Sequence, residues 1–413
     1  MTAARMTAML GATAALAALA APAHAAPAAS AAPPTVEEQR LDQAVPQEIL
    51  RRSGFAGVAP SFTRALERAG SHRAAENVVA RHGERLWRRA VDRAQGRVPA
   101  GDLDRADDRP LYWARLGMTR AIRRWNPSFV LSDKARARLL VRLERASRGQ
   151  EDVAYPHRVR RILVTGFDPF TLDRDIRIGN PSGATALALD GTVVRTSRGP
   201  ARIETMTFPV RWRDFTDGMV ERALRPHLPR VDLFTTVSQG RPDRFDVERF
   251  NGAWRGGFPD NERASSTGLI PVRGAQPQWT VTTLPHRAMV GAGTGPFQVI
   301  DNTQVTEIPA GGTTEVVRPD GPTPGSAARA GAGGNYLSNE IAYRATLLRD
   351  RLGLTRLPGG HLHTPVLRFG DGNTDPGTGT VTDPQFERNR RAIVTQARDL
   401  ITAAASATAR SAR

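Results

Sequence analysis

Ser338 is the first residue in this chain whose type and setting suggest chemistry. It follows the glycine pair Gly333-Gly334 and leads into an amphipathic run at residues 341–348, a pattern typical of a strand-to-helix turn. At a helix N-terminus the backbone N–H groups lack intrahelical acceptors and the macrodipole favours negative charge. A serine hydroxyl in that position can cap the helix, bind an anion or act as a nucleophile. The local pattern leaves all three roles open.

Short apolar runs alternate with helical patterns from about residue 160 onwards, which predicts an α/β domain over residues 156–404. Strands are predicted at residues 161–166, 202–208, 231–237, 281–284 and 359–367. Helices are predicted after Asn180, over residues 214–224, from Ser338 onwards and over residues 383–404. This alternation favours a three-layer α/β/α sandwich with a mostly parallel sheet.

The remaining segments differ from this pattern in composition and in hydrophobic periodicity. Residues 36–155 carry helical periodicity, with Ser132 as a candidate N-cap, and predict a helical N-terminal region whose aromatic residues lie in its core. Residues 291–332 are rich in Gly, Pro and Thr and predict an insertion with β pieces at 297–300 and 313–317. Its glycine-rich start lacks a βαβ setting, so we do not expect a dinucleotide site there. Residues 26–35 predict a flexible leader, and residues 405–413 a disordered tail.

The composition excludes several functional classes. The formal net charge is +17, but almost all of the positive charge is arginine spread through helical patterns, and Lys134 is the only lysine. The sequence has no basic block and no interleaved aromatic platform of the kind that specific nucleic-acid binding needs. The chain has no cysteine, which excludes disulfides, a thiolate nucleophile and cysteine-ligated metal sites. We expect no cofactor and no metal.

The first 25 residues have the features of a signal peptide. Arg5 supplies positive charge, residues 9–21 form an apolar run, and Ala23-His24-Ala25 fits a small-residue cleavage site. That apolar run is too short for a spanning helix, and no later run reaches membrane length. The sequence therefore predicts a secreted protein without a membrane span.

Four stretches, taken in order, resemble the signature segments of the pyroglutamyl peptidase I (pyrrolidone-carboxylate peptidase) family. They are residues 164–170 with 180–182, residues 239–241 with 247–251 and 259–261, residues 283–285 with 288–290, and residues 359–365. Each segment alone is a weak signal, but the shared order makes the resemblance specific. It covers residues 160–367.

The resemblance implies a function and a site. The family removes an N-terminal pyroglutamyl residue with a cysteine, a histidine and a glutamate on an α/β/α fold. By position, His363 matches the catalytic histidine, Glu248 matches the glutamate, and Ser338 stands where the family has its cysteine. The implied lactam pocket consists of Phe167, Phe170, Asn180, Gln239, Tyr336 and Leu337.

Serine in place of cysteine is the largest departure from the family pattern. An exported cysteine would be exposed to oxidation, whereas a serine resists it. A serine needs an adjacent base, and His363 can supply it while Glu248 orients the imidazole. The helical N-terminal region and the long insertion have no counterpart in the family's compact core.

Alternatives without catalysis remain open for each of these residues. Ser338 can be a helix cap, the phenylalanines can be plain core, and Glu248 can be part of a surface charge pair. His361 and His363 share one strand face, but a metal site lacks a third ligand in the sequence. We therefore predict an exported hydrolase acting on a peptide or small amide. The alternatives are a catalytically inactive binding protein of the same type and a structural or surface-interaction protein; the oligomeric state is left open.

Overall fold

Helices alone form the first part of the described chain, and strands and helices together form the rest. The computed structural model describes residues 33–157 and 159–408, within which there are twelve α-helices and fourteen β-strands. The helices are α1 (Val36–Gln39), α2 (Ala44–Arg52), α3 (Val58–Glu67), α4 (His72–Ala94), α5 (Arg109–Arg124), α6 (Asp133–Ala146), α7 (Pro181–Leu189), α8 (Trp212–Thr216), α9 (Met219–Leu224), α10 (His286–Gly291), α11 (Leu337–Arg351) and α12 (Pro384–Ala407). The strands are β1 (Arg160–Phe167), β2 (Val193–Thr196), β3 (Gly199–Phe208), β4 (Leu233–Gln239), β5 (Arg244–Glu248), β6 (Phe250–Gly252), β7 (Trp254–Gly256), β8 (Thr267–Leu269), β9 (Trp279–Val281), β10 (Gln298–Asn302), β11 (Val305–Ile308), β12 (Val316–Arg318), β13 (Ala327–Ala330) and β14 (Gly359–Thr364).

The N-terminal region consists of α1 to α6 packed around its own core. Ser71 and Ser132 cap α4 and α6 by accepting hydrogen bonds from backbone N–H groups in the first turn, the latter as predicted. Trp87 and Trp113 are fully buried between these helices. The same core includes Leu187 of α7, so the helical region packs directly on the α/β domain.

Seven of the described strands form the central sheet, in the order β10-β5-β14-β4-β1-β3-β2. Strands β14, β4, β1 and β3 are mutually parallel. β2 pairs antiparallel with β3 at one edge, and β5 pairs antiparallel with β14 near the other. β10 then adds parallel to β5. The sheet is therefore mostly parallel, as predicted.

Helices cover both faces of this sheet. Alternate strand residues such as Ile162 and Leu362 pack with α7 and α12 on one face. Phe234 and its neighbours pack with α8, α9 and α11 on the other face. The architecture is the predicted three-layer α/β/α sandwich preceded by helices.

Several predicted elements differ from the observed ones at their boundaries. Residues 214–224 were expected to form one helix, but Gly218 (φ 76°) interrupts it and separates α8 from α9. The strand predicted at 281–284 ends at Val281. α12 extends to Ala407, past the expected start of the tail, and Thr35, at the end of the expected leader, caps α1 in a capping box. The predicted signal peptide lies outside the described residues.

The predicted insertion at residues 291–332 contains four short β-strands. Its first strand, β10, belongs to the central sheet, and β11, β12 and β13 form a separate antiparallel sheet. Five further short strands, β2 and β5 to β8, had no counterpart in the sequence prediction. Within residues 33–157 and 159–408, no helix is long and apolar enough to cross a membrane.

Candidate functional site

Several polar side chains lie close together near the middle of the central sheet, on the face that α11 covers. Because side chains alternate along a strand, burial of Val247 and Leu362 on the α12 face turns Glu248 and His363 towards α11. Ser238, at the end of β4, lies opposite His363 in the parallel pairing of β4 and β14. Three strands thus bring polar groups to one place that is otherwise apolar.

Glu248 and His363 form a close, buried pair. His363 Nδ1 lies 2.6 Å from Glu248 Oε1, and both side chains are almost completely buried. Since a carboxylate accepts, Nδ1 carries the proton of the neutral ring and Nε2 is the available base. The other carboxylate oxygen, Oε2, accepts a hydrogen bond of 2.8 Å from Asn302 Nδ2. The pair therefore has the tautomer and orientation that general-base catalysis needs.

Two glycines enclose the His363 ring. A Cβ at Gly240 would lie 2.6–2.9 Å from ring and Cβ atoms of His363, and a Cβ at Gly333 would lie 2.9 Å from its Cε1 atom. Such distances leave no room for a side chain at either position. The glycine that opens the turn towards α11 thus packs against the histidine.

Ser338 is the second residue of α11 and is half-buried. Its hydroxyl donates to the Gly333 carbonyl, with 3.3 Å between the oxygens. That carbonyl belongs to the residue that packs on His363, so the serine and the histidine both lie close to the same glycine. The N–H groups of Leu337 and Ser338, in the first turn, have no acceptor within the helix.

A small cavity lies in front of Ser338. Its free volume is about 30 Å³, space for about two water molecules. It is lined by Phe167, Phe170, Asn180, Val210, Ser238, Gln239, Tyr336, Leu337 and Ser338. All six residues predicted as the lactam pocket are thus in one cavity with the predicted nucleophile.

The cavity walls are mainly apolar, and three of the nine lining residues are aromatic. Phe167 is buried and stacks on Phe215, with ring centroids 6.1 Å apart. Phe170 lies 6.0 Å from the ring of Tyr336, and both are only partly buried. Tyr336 also makes an edge contact with Phe258, which is 53% exposed. The cavity therefore has a fixed inner wall at Phe167 and a more exposed outer wall.

The two predicted polar pocket residues differ in their hydrogen bonds. Asn180 caps α7: its Oδ1 accepts from Ser182 and its Nδ2 donates to the Asp168 carbonyl at 2.8 Å. Gln239 Oε1, by contrast, is buried and has no hydrogen-bond partner among the described residues. Gln239 is therefore the polar group free to accept from a ligand.

A second serine–histidine contact lies beside the cavity, and sequence reasoning missed it. His361 Nε2 lies 2.8 Å from Ser238 Oγ, and its Nδ1 lies 2.7 Å from Thr236 Oγ1. Burial, and to a lesser extent the neighbouring His363, lowers the pKa of His361 well below the usual value of 6.5. Such a ring stays neutral but is a weak base, and it has hydroxyl partners instead of a carboxylate. Of the two histidines, His363 is the one with a carboxylate partner.

The helical N-terminal region holds the inner wall of the cavity. Asp168, directly after Phe167, forms an ion pair with Arg115 of α5 and lies 2.8 Å from Arg148 Nη1. All three side chains are at most 4% exposed. The next carbonyl, that of Pro169, accepts a hydrogen bond from Asn261 Nδ2 at 2.9 Å. Without Arg115 and Arg148 the Asp168 carboxylate would be buried without a counter-charge.

Asn302 is the other residue of this site that the sequence did not single out. The β-type pattern predicted there ended at residue 300, and β10 continues to Asn302. Only the pairing of β10 with β5, which is long-range, brings it to Glu248. Across the described residues no group of three His, Cys, Asp or Glu side chains is arranged to hold a metal ion.

Comparison with known proteins gives two family matches and one close relative. The model described as "PA0049 N-terminal domain" matches residues 18–144, and that described as "PA0049, C-terminal domain" matches residues 161–274 and 296–368. Protein PA0049 of Pseudomonas aeruginosa, described as uncharacterized, is 34% identical over 91% of this chain and 90% of its own length.

The solved structures to which this chain is similar include a pyrrolidone carboxyl peptidase and a pyroglutamyl peptidase I. A mutant pyrrolidone carboxyl peptidase from Pyrococcus furiosus is 21% identical, with a TM-score of 0.42, over 60% of this chain and 99% of that one. Pyroglutamyl peptidase I from Bacillus amyloliquefaciens is 19% identical, with a TM-score of 0.41, over 60% of this chain and 97% of that one.

Proposed function

The chain belongs to the PA0049 family, and we propose that it is an exported hydrolase that releases pyroglutamate, or a related terminal acyl group, from peptides and small amides. Ser338 is the nucleophile, His363 the general base and Glu248 the residue that orients the histidine. The signal-peptide pattern at residues 1–25 supports the export.

The observation that carries the proposal is the 2.6 Å contact between His363 Nδ1 and Glu248 Oε1, next to a serine at a helix start. A buried carboxylate on Nδ1 leaves Nε2 able to take a proton, which is the arrangement that serine nucleophiles require. A surface charge pair would need no burial of both groups, and these two are 6% and 1% exposed.

The reaction follows from these groups. The Ser338 hydroxyl rotates from the Gly333 carbonyl towards His363, which takes its proton as the oxygen attacks the amide carbonyl carbon. The first-turn N–H groups of Leu337 and Ser338 donate to the developing oxyanion. His363 returns the proton to the leaving amine nitrogen, and the C–N bond breaks. Water, deprotonated by the same histidine, then hydrolyses the ester and restores Ser338.

The cavity accounts for selection of a small planar acyl group. Aromatic walls at Phe167 and Phe170 match a flat ring, and the unpaired Gln239 Oε1 accepts its N–H. The cavity is small and partly open, and Phe170 and Tyr336 form the outer wall that can move outwards when a five-membered lactam enters. Their partial exposure makes that movement inexpensive compared with moving the buried Phe167.

A binding protein without turnover is the second candidate, and one contact favours it. The Ser338 hydroxyl donates to Gly333 and has no hydrogen bond to His363. If that state persists with ligand bound, the cavity would hold a pyroglutamyl group without attacking it.

The test is cleavage of a pyroglutamyl chromogenic amide by the purified mature protein. Wild type is expected to turn over, Ser338→Ala to lose at least about 10³-fold in kcat, and Ser338→Cys to stay active because a thiolate is the stronger nucleophile. Ser406→Ala is the matched serine control: its hydroxyl also donates to a backbone carbonyl, that of Thr402 on α12, and the variant is expected to keep wild-type activity because Ser406 is not part of the cavity. Binding of pyroglutamate with no turnover by wild type or Ser338→Cys would favour the second candidate.

A further inference from the structure

The insertion at residues 291–332 reaches the proposed catalytic pair through its first strand. β10 pairs in parallel with β5, and the last residue pair of that register is Asn302 with Glu248. Asn302 is only 5% exposed, although it ends an edge strand of the sheet. A buried amide at that position needs partners, and the structure shows what they are.

The side-chain nitrogen of Asn302 bridges two acceptors. Nδ2 lies 2.8 Å from Glu248 Oε2 and 2.9 Å from the Ala332 carbonyl oxygen. Because an amide nitrogen has two protons, it can donate to both at once. Each oxygen of the Glu248 carboxylate then has its own donor, with His363 on Oε1 and Asn302 on Oε2.

The second acceptor connects the pair with the nucleophile's turn. Ala332 precedes Gly333, whose Cα packs on His363 and whose carbonyl accepts from Ser338. The Ala332 N–H donates to Phe250 at 2.8 Å, so the segment is fixed from both sides. One amide thus ties the orienting carboxylate to the backbone that leads into α11.

We propose that Asn302 is a positioning residue of the active site, which holds Glu248 in the rotamer that orients His363 and fixes the turn before Ser338. The inserted segment is then part of the catalytic apparatus and not an appended surface element. This inference rests on the proposed function for its catalytic meaning, but the hydrogen-bond linkage itself has an independent readout.

The first experiment is a double-mutant cycle on the pyroglutamyl amide. Asn302→Leu keeps the side-chain volume and removes both hydrogen bonds, and we expect kcat to fall roughly 10- to 100-fold with KM little changed, as for loss of a hydrogen bond to a charged group. In a Glu248→Gln background the same substitution is expected to have little further effect, because Asn302 acts through that carboxylate. Thr303→Val is the matched control: its hydroxyl donates to Pro319 within the insertion, and the variant is expected to keep wild-type kcat.

A second variant covers the case in which Asn302→Leu fails to fold. Asn302→Asp has the same shape, but its ionised carboxylate repels Glu248 and cannot donate, whereas its protonated form can. We therefore expect the kcat of Asn302→Asp, relative to wild type, to recover at low pH, where the new carboxyl group is protonated. The acid limb of its pH–kcat profile is then displaced. A structural role alone would lower kcat at every pH alike.

The hydrogen bond between His363 and Glu248 can be followed without substrate. The proton on His363 Nδ1 is expected to give a downfield ¹H resonance in wild type and Thr303→Val. In Asn302→Leu this resonance is expected to shift or disappear. If wild type lacks turnover but shows this pattern, the proposed function fails and the positioning role stands. Retention of the resonance together with additive losses of kcat in the cycle would overturn the inference.

Discussion

Asp168 offers the sharpest test of how the helical region supports the cavity. Asp168→Asn keeps the shape of the side chain but removes the charge that Arg115 and Arg148 share, and all three groups are at most 4% exposed. Breaking a buried pair by removing one partner costs about 3–5 kcal/mol, because a buried charge loses its counter-charge. Here Arg115 loses its ion-pair partner, whereas Arg148 keeps Glu144 at 2.6 Å, so the cost lies at the lower end of that range. The introduced amide oxygen can still accept one hydrogen bond, so we expect about 3 kcal/mol less stability. Chemical denaturation of the mature protein measures it.

The control is an exposed ion pair on the same helical region. Glu84 and Arg88 lie 3.3 Å apart on α4 with side chains 36% and 60% exposed, and Glu84→Gln is expected to cost at most about 0.5 kcal/mol. Because Asp168 directly follows Phe167, Asp168→Asn is also expected to raise KM for a pyroglutamyl amide. If Asp168→Asn lowered the free energy of unfolding by no more than Glu84→Gln does, the view that these arginines depend on Asp168 would be refuted.

The remaining predictions concern packing at the histidine and a buried acid. Gly240→Ala puts a methyl group within 2.9 Å of His363 and is expected to lower kcat at least about 10-fold, with roughly 1–3 kcal/mol of overpacking, whereas Gly291→Ala enters open space and is expected to change neither. Burial, and next the neighbouring Asp107, raises the pKa of Asp108 to about 7. Its contribution to stability is therefore complete below about pH 4 and lost as pH rises through 7, which amounts to on the order of 4 kcal/mol. Asp108→Asn is expected to remove this dependence, so the stability difference between the variant and wild type should grow from pH 4 to 7; a constant difference would contradict it.

The parts of the fold with strong local signals were predicted from the sequence. The apolar run ending at Gly166 and the glycine-led turn before Ser338 gave β1 and the start of α11, since buried parallel strands and helix starts have local patterns. The helix predicted over residues 214–224 was wrong in one respect: Gly218 adopts a left-handed conformation that ends α8.

Long-range pairing could not be predicted in the same way. β10 is a short edge strand and β5 is the short strand between it and β14, so their positions depend on one another, and their register alone brings Asn302 to Glu248. The Ser238–His361 contact likewise arises from the parallel pairing of β4 with β14. No spacing within a single segment encodes such neighbours.

Burial also altered what individual residues can do. Asn180 was predicted to recognise a ligand, yet its side chain is engaged as the cap of α7. Gln239, predicted for the same purpose, retains an unpaired oxygen. The sequence identifies both as polar groups near the cavity, but only the three-dimensional hydrogen-bond network distinguishes them.

The most direct measurement is to trap the acyl-enzyme. Wild type is mixed with a pyroglutamyl ester or activated amide, quenched in acid and digested, and the modified peptide is located by mass spectrometry. We predict a pyroglutamyl adduct on the Ser338 hydroxyl that is absent in Ser338→Ala and accumulates when Glu248→Gln slows deacylation. Turnover without an adduct at Ser338, or an adduct on Ser238 instead, would contradict the assignment of Ser338 as the nucleophile.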